Sequence, residues 1–257
     1  MNLLSLWSCN LFFLGAWVYL AAFGLSFGRR MLPAGLVLAL GLLLNLGSLG
    51  VKLYASWPMQ APYQEPFWLP AALAALALWF ASGRDRRMAQ ALMGLAAATA
   101  LFTAFFPKDY YLPFPRSNTI LAHLFLLVSP AAKAYLLASG AAAGLFLWGS
   151  PEGPAHRARR GLFASLAVWG FVLYSLGLFI AQAWSYLGWA SPVIFNEPGM
   201  VSTMATWFYY GCFLHLFLLK SWTARRRACF ALLGAPLMLY FNYLPQTGQF
   251  TAPVLWP

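Results

Sequence analysis

Apolar positions along the chain gather into eight long runs that short polar segments separate. The runs cover about residues 3–27, 31–54, 67–82, 88–106, 118–149, 161–188, 203–223 and 226–245. An apolar run of about 20 residues is long enough to cross a bilayer as an α-helix, which satisfies its own backbone polar groups in lipid. The pattern therefore predicts an all-α, polytopic membrane helix bundle with eight transmembrane helices. We interpret residues 1–257 as one transmembrane domain, because no linker, repeat or low-complexity tract interrupts the pattern.

Basic residues between the runs predict the orientation of the chain. Twelve of the sixteen lysines and arginines fall into four clusters in alternate loops: Arg29 and Arg30; Arg84, Arg86 and Arg87; Arg157, Arg159 and Arg160; and Lys220 with Arg225, Arg226 and Arg227. Loops rich in Lys and Arg remain in the cytoplasm. Both termini and the 189–202 loop are therefore predicted to lie on the non-cytoplasmic side of the cytoplasmic (inner) membrane.

Composition excludes several other classes of protein. The chain is 62% hydrophobic and 8% charged, whereas soluble domains carry about 25% charged residues. In a soluble chain, a net charge of +11 would suggest that the protein binds nucleic acid. Here the placement of the basic residues in alternate loops accounts for the charge. We therefore expect contacts with membrane lipid and no binding of nucleic acid. The three cysteines are isolated and no CxxCH occurs, which excludes a covalent c-type haem site in this chain. No Walker loop, GxSxG or HExxH appears, so no catalytic residue is assigned.

An aromatic loop joins the sixth and seventh runs. The sixth run ends in Trp184 and Trp189, the loop carries Glu197 and Pro198, and the seventh run continues through Trp207. Aromatic rings favour the headgroup level of a bilayer, where an apolar body and a polar edge are both accommodated. Two interpretations remain open: an ordinary interfacial aromatic belt, or a shelf for a planar apolar ligand such as haem.

Two histidines and a lysine lie inside the apolar runs, where ionisable groups are costly and often functional. His123 is near the outer end of the fifth run; it is either an iron ligand or a helix-end histidine exposed to water or bonded to a neighbour. His215 lies about 18 Å below the outer end of its predicted helix, so the two histidines are not expected to share one iron. Lys133 lies about 15 Å further in than His123 and suggests either an interhelical contact or a role in ligand or proton handling.

Two cations of the outer loops are candidates for anion binding. Lys108 and Arg116 belong to the segment FPKDYYLPFPRSN. Their expected partners are haem propionates or lipid phosphates, and the sequence leaves both open.

Several stretches together resemble one known family. PRSNTILAHLFLLVSPAAKAYLLA, SLGLFIAQAWSYLGW, TWFYYGCFLHL and KLYASWPMQAPYQEP are similar to helices and loops of the CcsA/CcmC haem-handling family of cytochrome c biogenesis, and most of all to CcsA, the membrane half of a haem-attachment synthetase. The resemblance implies an outer haem-ligating histidine at His123, an inner one at His215, and the tryptophan-rich WWD platform at 184–207. The platform reads GWASPVIFNEPGM here, so Pro198 is retained and Glu197 replaces an aspartate.

The resemblance implies a divergent CcsA-like protein that binds non-covalent haem b and presents it at the outer face for cytochrome c assembly. His123 would ligate the iron and Lys108 or Arg116 would meet the propionates, while the porphyrin would be lined by aromatic side chains: Trp184, Trp189, Phe195 and Trp207. Expected partners are an apocytochrome c and a CcsB-like or thioredoxin-like subunit, so any enzymatic role is at most part of a haem-attachment complex. The alternatives are a non-catalytic anchor of a redox complex with a quinone site near Lys133 and His215, and a HemX-like regulator of haem synthesis.

Overall fold

Helices make up most of the part of the chain that the structure describes. This computed structural model describes residues 3–59, 63–83, 85–108, 118–149, 154–193 and 198–251. Within those ranges there is no β-strand, and eight α-helices are followed by a π-helical turn at Leu239–Tyr243 and a 3-10 turn at Leu244–Gln246. The α-helices are α1 (Leu3–Leu25), α2 (Met31–Ser56), α3 (Glu65–Ala81), α4 (Arg86–Phe105), α5 (Ile120–Leu147), α6 (Pro154–Trp189), α7 (Pro198–His215) and α8 (Ala224–Met238). The predicted all-α class is confirmed.

Each predicted run corresponds to one helix, but the boundaries of α6 and α7 differ from the prediction. Helix α6 begins at Pro154 rather than 161, and α7 covers Pro198–His215 rather than 203–223. Beyond His215 the backbone continues in tight turns, with Leu218 N donating to the His215 carbonyl at 3.0 Å. The carbonyl of Leu219 accepts a bond from Arg227 Nη2 at 3.1 Å. An apolar pattern cannot reveal this end, because the residues remain apolar while their backbone bonds change.

Six helices are long and apolar enough to cross a membrane: α1, α2, α4, α5, α6 and α8 with its continuation. The other two are shorter, with 17 residues in α3 and 18 in α7. At 1.5 Å per residue α3 is about 26 Å long, close to the hydrocarbon thickness of about 30 Å. The chain is an integral membrane protein, whereas the count of eight spans and the side of the termini stay predictions.

The chain forms two compact units, the first containing Met1–Leu126 with Gln246–Pro257 and the second Leu127–Pro245. In the first unit α1 and α2 form an antiparallel pair. Ser48 Oγ donates to the Ser8 carbonyl at 2.7 Å, and Ser8 Oγ donates to the Ser48 carbonyl at 3.1 Å. Further along, a Cβ built on Gly15 would lie 3.4 Å from the Gly41 carbonyl oxygen. Small residues at this contact let the two backbones approach closely, which is how helices associate in lipid.

The C-terminal segment returns to the end of α4 in the first unit. Gly248 N donates to the Phe106 carbonyl at 2.9 Å, and Thr251 N donates to the Phe105 carbonyl at 2.8 Å. Those two carbonyls lie at the end of α4, where helix geometry leaves them without intrahelical partners. Phe250 also stacks on Phe105, with ring centroids 6.1 Å apart. The segment therefore completes the first unit.

In the second unit α5 packs closely on α8 and α6. A Cβ built on Gly140 would lie 2.6 Å from Ala235 Cβ, and one built on Gly144 would lie 3.6 Å from a Leu232 methyl. On the other side, Ser139 Oγ donates to the Phe163 carbonyl of α6 at 2.7 Å. The spacing of small residues four apart on α5 matches the way small side chains bring transmembrane helices together.

A buried polar network links α6, α7 and the π-helical turn. Tyr174 Oη donates to Asn242 Oδ1 at 3.0 Å, and Asn242 Nδ2 donates to Thr206 Oγ1 at 2.6 Å. Asn242 is 5% exposed and lies inside the π-helical turn, a geometry that is rare and usually local. The amide thus bonds side chains of two helices at once.

Asn242→Leu is expected to lower the free energy of unfolding by about 1–2 kcal/mol, because each interhelical side-chain bond in a membrane contributes about 0.6 kcal/mol and at most about 1.7. Tyr174→Phe removes one bond to the amide but leaves those of Thr203 and Thr206, so it should cost about half as much. Denaturant titration of the purified protein in detergent measures both. An Asn242→Leu protein as stable as the wild type would show that the network contributes nothing to the fold.

Candidate functional site

His123 lies in the first turn of α5, within the first unit. Its Nδ1 is 2.9 Å from the Thr119 carbonyl oxygen. A carbonyl oxygen only accepts hydrogen bonds, so Nδ1 carries the proton and donates it. In the neutral ring the lone pair is then on Nε2, which is the arrangement that metal-ligating histidines adopt when a backbone carbonyl orients them.

The Nε2 atom of His123 is buried and has no hydrogen-bond partner among the residues that the structure describes. Leaving a buried polar atom unpaired costs about 1–3 kcal/mol, so such an atom calls for an explanation. The bond to a neighbour that the sequence left open is present at Nδ1, and Nε2 is the nitrogen available to a ligand. An iron atom would satisfy Nε2, so this histidine fits the ligand role that the sequence suggested.

One histidine suits haem better than a bare metal ion. Within the described ranges no group of three or more His, Cys, Asp or Glu side chains is placed to hold a metal ion. A bare transition metal needs three or four protein ligands, whereas haem iron takes an axial ligand from the protein. His123 therefore has the chemistry of an axial ligand.

Trp57 is an aromatic neighbour of His123 that the sequence did not assign to the site. The two ring centroids are 5.2 Å apart with an interplanar angle of 65°, and the Trp57 side chain is 68% exposed. Trp57 follows directly after α2, at the start of a loop that contains prolines. From the sequence, that position could have identified Trp57 as a tryptophan of the membrane interface. Its contact with His123 could not be predicted, because the two residues are far apart in sequence.

The predicted outer end of the first unit also carries lysines held against aromatic rings. Lys108 Nζ lies 3.7 Å from the Tyr63 ring centroid, and Lys52 Nζ lies 3.3 Å from that of Phe67. Lys52 lies in the last turns of α2 and is 5% exposed. Glu65 is 6% exposed, and its Oε2 accepts from Gln246 Nε2 at 2.9 Å. Arg116 lies outside the described residues.

The predicted tryptophan shelf belongs to the second unit, and the structure separates two of its members. Trp207 Nε1 donates to Ser175 Oγ at 2.8 Å, and its ring stacks on Phe171 at 5.5 Å. Ser175 precedes Trp184 by nine residues on α6, about 14 Å along the helix axis. Trp207 therefore lies at the level of Ser175, where it joins α7 to α6, and not at the level of Trp184.

The other shelf residues are at the adjoining ends of α6 and α7. Trp184 is half-buried in the last turns of α6, Trp189 is the last residue of that helix, and Pro198 begins α7. The side chains of Trp189 and Pro198 lie outside what the structure describes, as do Phe195 and Glu197 altogether. Their part in a shelf stays a prediction.

Lys133 and His215 have contrasting environments in the second unit. Lys133 lies in α5, three residues after Pro130, and is 4% exposed. His215 is the last residue of α7 and is exposed, with Nδ1 2.8 Å from the Gly211 carbonyl oxygen. In both histidines Nδ1 bonds a carbonyl four residues earlier, but the side chain of His215 is exposed and that of His123 is half-buried.

A comparison with protein families finds one match over most of the chain. The family model described as cytochrome C assembly protein matches residues 33–244. A comparison with curated proteins finds no match.

Proposed function

The chain belongs to the cytochrome c assembly protein family, and from that membership we propose that it holds haem non-covalently and presents it at the outer membrane face. A role in cytochrome c biogenesis follows from the family itself, whose members handle haem with apocytochromes or partner subunits. The proposal assigns the haem-iron ligand to His123. The observation that carries it is the buried Nε2 without a partner, on a ring whose Nδ1 is fixed by the Thr119 carbonyl.

His123 would bind the iron through Nε2, and the Thr119 carbonyl would hold the ring in the orientation and tautomer that binding requires. Because Nε2 is buried, a neighbouring group must move before it can bind. We assign that movement to Trp57, which contacts the ring and is itself 68% exposed. After the movement, the Trp57 indole would be available to line the porphyrin and keep water away.

Haem is the cargo here, and its vinyl groups form the thioether bonds with the cysteines of a CxxCH apocytochrome. The protein contributes binding, orientation and exclusion of water. Lys108, and Arg116 in the same loop, would meet the propionates, while Trp184, Trp189, Phe195, Glu197 and Pro198 would contribute to the platform. His215 would be an inner haem ligand, and a CcsB-like or thioredoxin-like subunit would be the partner in the cytoplasmic membrane.

The test is a haem titration of the purified full-length protein in detergent, followed by absorbance. The wild type should give the Soret band of a histidine-ligated haem. His123→Ala should weaken binding by at least about tenfold, because even the loss of a group that orients a ligand costs about 10–100-fold. Added imidazole should restore the spectrum of His123→Ala, since it supplies the missing nitrogen without changing the fold.

His156→Ala is the control, because this third histidine lies in the basic segment EGPAHRARR and has no place in the proposed haem site. This variant should keep the signal that depends on His123. If His123→Ala binds haem with wild-type affinity and spectrum, the assignment of the ligand is wrong.

A further inference from the structure

A cavity lined by arginines lies in the second unit at the end that the basic clusters predict to be cytoplasmic. Its volume is about 360 Å³, roughly ten times the share of one water molecule in the liquid. Arginines from α6 and α8 line it together with apolar side chains: Arg157, Arg160, Arg227, Phe163, Ala164 and Phe217. A headgroup-sized molecule fits such a space.

Arg157 and Arg160 lie close together in the first turns of α6. Arg157 and Arg160 are three residues apart, so their side chains are neighbours on the helix surface, and both are exposed. Helix α6 has 36 residues, about 54 Å of length against a hydrocarbon core of about 30 Å. A helix of that length exceeds the hydrocarbon core, and its basic first turns are the end expected among the headgroups.

The third arginine is held in place by the turn before α8. Arg227 Nη2 donates to the Leu219 carbonyl at 3.1 Å, and the guanidinium lies 4.7 Å from the Phe217 ring centroid. Its Nε is buried and has no hydrogen-bond partner among the described residues. Arg227 is thus a pre-positioned cation with a donor still unused.

The positive charge of this cavity has no carboxylate to balance it within the described part of the second unit. The acidic residues of that stretch of sequence are Glu152 and Glu197, and both lie outside the described residues. Clustered arginines attract an anion, and a guanidinium binds phosphate oxygens through paired hydrogen bonds.

We propose that this cavity binds the phosphate headgroup of an anionic phospholipid, with Arg157, Arg160 and Arg227 on the phosphate and Phe163 and Phe217 beside the upper part of the acyl chains. Basic pockets between transmembrane helices on the cytoplasmic side are suited to such lipids. The apolar walls and the headgroup depth favour a lipid over free phosphate, because a free ion gains nothing from the phenylalanines. None of the residues lining this cavity is assigned to haem, so the proposal is tested independently of the haem proposal.

The test measures phosphatidylglycerol binding to the purified full-length protein in detergent by native mass spectrometry. The variant is Arg157→Gln with Arg160→Gln; Arg227 stays unchanged because it also holds the Leu219 carbonyl. Each arginine near an anionic lipid is worth about fivefold in affinity, so the double variant should bind about 25-fold more weakly. Phosphatidylcholine, whose choline cation offsets the phosphate charge, should bind more weakly and depend less on the arginines, and inorganic phosphate should not compete at millimolar concentration.

The matched control is Arg29→Gln with Arg30→Gln. These two arginines are exposed, belong to the first unit and are predicted to lie on the same, cytoplasmic side of the membrane as Arg157 and Arg160. This variant should bind phosphatidylglycerol like the wild type. Equal weakening by both double variants would overturn the proposal in favour of a diffuse surface charge effect. Saturable binding of inorganic phosphate that needs Arg157 and Arg160 would overturn it in favour of a free-ion site.

Discussion

His123→Ala is expected to lower the amount of cytochrome c with covalently attached haem by more than about tenfold in cells that depend on this chain. The family places the protein in cytochrome c biogenesis, and the variant removes Nε2, the atom proposed to bind the haem iron. Loss of an orienting neighbour alone costs a metal site about 10–100-fold, so loss of the ligand itself should cost at least as much. Haem staining of denatured cell extracts measures the covalent product.

Two controls separate ligation from folding in this experiment. The His123→Ala protein should reach wild-type abundance in the membrane, because His123 makes its described hydrogen bond within its own helix turn, to Thr119. Imidazole in the growth medium should restore part of the cytochrome c. A variant with normal abundance and normal cytochrome c maturation would contradict the proposed role of His123.

Gly140→Leu is expected to lower the free energy of unfolding by about 3 kcal/mol. A Cβ at this position would already lie 2.6 Å from Ala235 Cβ, and Ala231 and Ala235 present short side chains or backbone with nothing flexible to move aside. Overpacking of a closely fitted contact typically costs about 1–3 kcal/mol, and leucine adds three further carbons. Denaturant titration of the purified protein in detergent gives the difference.

Gly50→Leu is the matched control for that prediction. Gly50 lies in α2, is exposed, and has no atom within 4 Å of a built Cβ. Leucine there gains about 0.8–1 kcal/mol of helix propensity and meets only lipid, so stability should be unchanged or slightly higher. Equal destabilisation by both substitutions would show that α5 and α8 are not packed through Gly140.

The candidate site could be predicted from sequence only in part, and His123 shows where the limit lies. Its place near a helix end was readable, because hydropathy marks where a run begins. The state of its two nitrogens was not, since a hydrogen bond to Thr119 and a contact with Trp57 depend on coordinates. The hydrogen bond from the Trp207 indole N–H to Ser175 likewise depends on coordinates, while the part of Trp207 in a shelf stays a prediction.

By itself the sequence determined the all-α class, the membrane location and the approximate position of every helix, because transfer of apolar side chains into lipid depends on composition over about 20 residues and hardly on neighbours. Only the tertiary structure decided which side chains face each other: Gly140 against Ala235, Asn242 between Tyr174 and Thr206, and the arginines around one cavity. It also decided where α7 ends, because the helix gives way after His215 to tight turns, such as the one from Leu218 N to the His215 carbonyl, inside a single apolar run. Such contacts depend on distances of a few ångströms between separate helices, and a one-dimensional pattern holds no record of them.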